Sequence, residues 1–158
     1  MMAEVASPLA PLVHRRSASL QKRRRDDLWL GSTALLASML VLPYAPGSWH
    51  GPEMAASLAV GATALLAGQR WAIAIIVIAE LLLVPTQWPR AFLGDASLAE
   101  RLPSLISLLA IVPGALAVRR AAAALVLVTG QRRTRAMCRR FQAGLVLVGI
   151  VAALLPLF

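Results

Sequence analysis

The chain has one cysteine, Cys138, so no disulfide can close within it. It also has one tyrosine and three phenylalanines, which leaves out the stacking surfaces that nucleic-acid modules use and excludes nucleic acid as the expected partner. Charge is scarce at 15% of residues, against about 25% in soluble domains. Acids are the scarcer sign, with 7 Asp or Glu facing 16 Lys or Arg. The two histidines, His14 and His50, fall in separate polar stretches. No phosphate-binding glycine loop, metal-ligand spacing or nucleophile–base pattern occurs, so neither a catalytic site nor a cofactor or metal is expected.

Apolar residues are what the chain does have, at 59%, with a mean hydropathy of +0.72. They are gathered into runs separated by short polar stretches, the pattern of helices crossing a bilayer. The expected fold class is all-α: a polytopic transmembrane helical bundle of about five spans, with four as the alternative count. A mobile basic tail over 1–27 precedes a bundle over 28–158, because "HRRSASLQKRRRDD" has no apolar period. Asp26 and Asp27 are expected to cap the first helix, where negative charge is favourable.

The expected spans are about 28–45, 54–69, 71–88, 103–118 and 141–158. Tyr44 and Trp49 mark an interfacial loop after the first, and Trp71 and Trp88 bracket the third as an aromatic belt would. Pro113-Gly114 is expected to kink or break the fourth. The stretch 119–140 is read as a basic cytoplasmic loop or interfacial helix, since the apolar part, Ala121 to Gly130, is too short to cross a core of about 30 Å. In the second span Ser57, Gly61, Ala64 and Gly68 form small pairs four apart, a face for close helix packing.

With this assignment 14 of the 16 basic residues fall on one side, and only Arg90 and Arg101 on the other. The positive-inside bias then puts the N-terminus in the cytoplasm and the C-terminus outside. Arginine in place of lysine and abundant alanine fit a GC-rich bacterial genome, hence an inner membrane. Arg23, Arg24, Arg25, Arg132, Arg133, Arg135, Arg139 and Arg140 are the candidate cytoplasmic contacts to anionic lipid headgroups or an acidic protein surface.

One residue resists this simple scheme. Glu80 stands alone in "AIAIIVIAELLLVP", near the middle of the third span. An ionised acid there costs roughly 2.5–3.5 kcal/mol on insertion scales, so it is expected to be neutral and to face protein or water. The structural expectation is an interhelical hydrogen bond to a hydroxyl such as Thr63 or Ser107. The functional expectation is a proton or cation site. The leading function is therefore a non-enzymatic accessory, assembly or regulatory membrane protein acting with a membrane-protein partner or a second copy. The alternative is a small transporter or exporter using Glu80.

Overall fold

The computed structural model describes residues 10–42, 51–93, 97–132 and 134–157. Five helices follow one another: α1 (Ala10–Val41), α2 (Gly51–Leu66), α3 (Ala72–Phe92), α4 (Leu98–Val128) and α5 (Arg135–Leu154), the last ending in a short 3-10 turn, Leu155–Leu157. There is no strand among the described residues. Three of these helices are long and apolar enough to cross a membrane: Ala72–Phe92, Arg101–Val128 and Arg135–Leu154. By length and composition these three helices suggest a membrane protein. The apolar stretch of α2 covers only Pro52–Leu66, and that of α1 runs into residues outside the described set.

The tail reading needs correction. Helix begins at Ala10, well before the apolar run, and passes through the whole basic stretch. Gln, Lys, Arg and Leu are good helix formers, and a helix nucleated by the apolar half extends into them with little loss of side-chain freedom. Only residues 1–9 of the expected tail lie outside the described residues. Asp26 and Asp27 consequently sit within α1 and cap nothing.

The interhelical surfaces mix small residues with Leu, Ile and Val. Ala34, Ala37, Ala55, Ala62, Ala72, Ala121 and Ala122 are all buried, and their short side chains let the helices approach closely. Ser38 donates to the Ala55 carbonyl across α1 and α2 at 2.8 Å. Further along the same antiparallel pair, Gly31 lies against Leu66. The α3–α4 pair is also antiparallel, and α4 continues unbroken through Pro103 and Pro113. Its 31 residues span roughly 46 Å at 1.5 Å each, more than a bilayer core is thick. Prolines are likewise absorbed into α3, at Pro85 and Pro89, so the gap between the expected third and fourth spans, 71–88 and 103–118, shrinks to the link between Phe92 and Leu98.

Two turns are set by glycine. Gly68 has φ +91°, and its N–H bonds to the Leu65 carbonyl while that of Gln69 bonds to the Ala64 carbonyl. This pair of bonds closes α2 in a Schellman motif and satisfies its last carbonyls. Gly130, at φ +66°, similarly follows the end of α4. Thr134 then opens α5 by accepting from the Met137 N–H.

Candidate functional site

Glu80 is 1% exposed, and its side chain is directed from α3 into α4. It meets Gly114. A Cβ placed on that glycine would fall inside the Glu80 carboxyl group, so only glycine leaves the notch that the acid fills. Around it Ile76, Val77 and Leu83 of α3 and Ala110, Ile111 and Ala117 of α4 are buried and apolar. Gln87 of α3 and Ser104 and Ser107 of α4 are buried polar residues as well.

The expected hydrogen bond to a hydroxyl is not formed. Among the described residues neither Oε1 nor Oε2 of Glu80 has a partner, and the Ser107 hydroxyl is also unpartnered. Thr63, the other candidate, is turned back onto its own helix and donates to the Ala59 and Val60 carbonyls. Thr63 is also exposed, on the face of α2 away from the core. The sequence showed Glu80 as an anomaly but gave no sign of Gly114, because Pro113-Gly114 reads equally well as a helix kink.

The small-residue face of α2 divides. Gly61 packs on α3, where an added Cβ would lie 3.0 Å from Ile76 Cγ1 and 3.3 Å from Ile75 Cγ2. Ser57 and Ala64 are half-buried beside it. Gly68 is not a packing residue: it is exposed, its Cβ position faces open space, and its role is the left-handed turn after α2. The period of four placed it on the helix, but the helix ends at Leu66.

The basic residues gather at one end of the bundle. Asp27 of α1 is paired with Arg120 of α4, both partly exposed. This ion pair explains how α4 carries Arg120 within a long apolar helix: the compensating acid comes from α1 and not from Glu80. Arg23, Arg24 and Arg25 are exposed on α1 beside it, and Arg70 is exposed in the turn between α2 and α3. The start of α5 reaches the same end, because α5 runs parallel to α3: Gly149 meets Leu81, and further along Trp88 Nε1 donates to the Ala153 carbonyl at 3.0 Å. Arg132, Arg135, Arg139 and Arg140 are exposed there, and Arg133 lies outside the described residues. The acids following the arginine run in α1 were the sequence signal for the Asp27–Arg120 pair.

No three His, Cys, Asp or Glu side chains come together as a metal site among the described residues. Comparison with protein-family models, curated proteins and solved structures finds no match to this chain. Its chemistry is therefore read from its own residues.

Proposed function

We propose that the chain is a non-enzymatic integral protein of a bacterial inner membrane, an accessory, assembly or regulatory subunit. It would act through helix–helix contacts and through basic contacts at the cytoplasmic surface. The observation that carries this reading is the placement of Glu80. The one acid in the apolar part of α3 plugs a notch between two helices and lines none of the clefts found at the basic end. What the protein offers outward is apolar helix surface and arginine. α5 buries only Leu145 and Ala152 and exposes Leu147, Ile150, Val151 and Leu154, a face for lipid, a partner helix or a second copy.

In this reading all five helices thread the membrane alternately, with the arginine-rich end in the cytoplasm and the C-terminus outside. The 16 residues of α2 make about 24 Å, which calls for local thinning of the bilayer around it. Reporter fusions at His50, Arg70, Asp95, Arg133 and Phe158 should alternate out, in, out, in, out. A cytoplasmic signal at Phe158 would remove one span.

A second reading is supported by the unpartnered oxygens of Glu80, since buried polar groups are ordinarily hydrogen-bonded and intramembrane acids often mark transport paths. The two separate in vesicles containing the purified chain alone. The accessory reading expects no dissipation of an imposed pH or cation gradient. Dissipation that is abolished by Glu80→Gln, with the variant still folded, replaces it with a transporter.

A further inference from the structure

The Schellman turn at Gly68 brings Arg70 back toward the base of α1. There a cleft of about 450 Å³ opens between the two, within the about 300–1,000 Å³ usual for small-molecule sites. Its polar wall carries Arg23, Arg24, Asp27 and Arg70, and its apolar wall carries Leu28, Leu65 and Leu66. None of the three guanidinium groups has an ion-pair partner among the described residues. The acid beside them, Asp27, is already engaged by Arg120. Two of the carbonyls at the end of α2, those of Leu65 and Ala64, are capped by the Gly68 and Gln69 N–H groups. Three arginines thus line the cleft against one acid, Asp27, which Arg120 already compensates, and the cleft keeps positive charge to spare.

We infer that this cleft binds the phosphate headgroup of one anionic phospholipid, with Arg23, Arg24 and Arg70 on the phosphate and the acyl chains along Leu28 and Leu66. Guanidinium groups suit phosphate because they donate in a planar fork matched to two oxygens. The apolar side favours a lipid over free phosphate: Leu28 and Leu66 are large, exposed and contiguous with the cleft. Trp29, next to Leu28 on α1, is 65% exposed, and tryptophan is a residue type enriched at membrane interfaces. The inference rests on the membrane reading and narrows its diffuse lipid contact to one site.

The test is thermal unfolding of the purified full chain in a neutral detergent with added short-chain lipids. Dioctanoyl phosphatidylglycerol should raise the midpoint in a saturable way, while dioctanoyl phosphatidylcholine and inorganic phosphate at the same concentration should not. Each arginine of the cleft contributes about fivefold in affinity, so Arg23→Gln with Arg70→Gln should weaken binding about 25-fold. Lys22→Gln with Arg119→Gln removes the same charge from the same end, outside the cleft, and should leave binding intact. Arg70→Lys should restore part of what Arg70→Gln loses. Equal weakening by the two pairs shows diffuse charge attraction and overturns the site. A full shift with phosphatidylcholine, or with phosphate alone, overturns the anionic lipid as ligand. Failure of the membrane reading is seen separately, as release of the chain from membranes by an alkaline wash.

Discussion

α3 and α5 are both about twenty residues of mostly aliphatic sequence, and they occupy opposite kinds of environment. Ten residues of α3 are buried, among them Glu80 and Gln87, whereas only two of α5 are. Apolarity does not separate the two helices, because lipid and protein interior are equally apolar solvents. The difference lies in what accompanies the aliphatic residues. The α3 contacts hold glycine, alanine and stray polar groups among buried Leu, Ile and Val, and α5 holds branched side chains pointing outward, with Gly144 facing open space. Small and polar residues add to the hydrophobic ones a mark of where helix meets helix.

The sharpest way to break this contrast is at Gly114. Gly114→Val forces side-chain atoms into the Glu80 carboxyl and should destabilise the bundle by about 3 kcal/mol, the upper part of the range for overpacking. Thermal unfolding in detergent reads it. Glu80→Ala combined with Gly114→Ala should recover most of what Gly114→Ala alone loses. Equal losses in the single and double variants would mean that the carboxyl does not occupy the notch.

Gly61→Leu should cost about 1–2 kcal/mol by pushing α2 off Ile75 and Ile76. Because that face is turned into the bundle, the loss should appear as lowered stability of the single chain, with the oligomeric state on a sizing column unchanged.

Glu80 itself gives a smaller effect of informative sign. With no hydrogen bond to lose, Glu80→Leu should leave stability within about 1 kcal/mol of the parent or raise it, and Glu80→Gln should be nearly silent. A loss of about 2 kcal/mol in Glu80→Leu alone would reveal a hydrogen-bonded partner for the acid.

The weakest effect belongs to α5. Gly144 has open space where a Cβ would stand, so Gly144→Ala should change unfolding by no more than about 0.5 kcal/mol, toward stability. Gly144→Leu should be just as mild in the isolated chain. If it lowers the yield of a larger complex from native membranes, a partner rather than lipid covers that face.

Much of the helical layout was legible from run lengths and from the tryptophans at 71 and 88, since a bilayer imposes both. The ends were less so. α1 hid behind its arginines because charge was taken as a sign of disorder, although Arg, Lys and Gln support helix well. The expected third span stopped short of Pro89, the fourth began at Pro103 and was to kink or break at Pro113, yet the helices pass through all three. At the candidate site the anomaly was visible in Glu80, but its complement in Gly114 was not. Register between distant helices is a property of packing, and one chain's spacing does not contain it. The approach of Arg70 to Arg23 was not legible, because the turn that brings them together depends on where α2 stops.

The bond from Trp88 to Ala153 has a consequence in time. Chains are made from the N-terminus, so α1 to α4 can close on one another before residue 153 has left the ribosome. Until then the Trp88 indole has no Ala153 carbonyl to meet, and the side of α3 that takes Leu145 and Gly149 stays open to whatever is nearby. The last helix therefore arrives at a nearly finished bundle and fastens at its far end. Between the fourth and fifth helices the nascent protein offers another membrane helix a brief opening that the finished chain has closed.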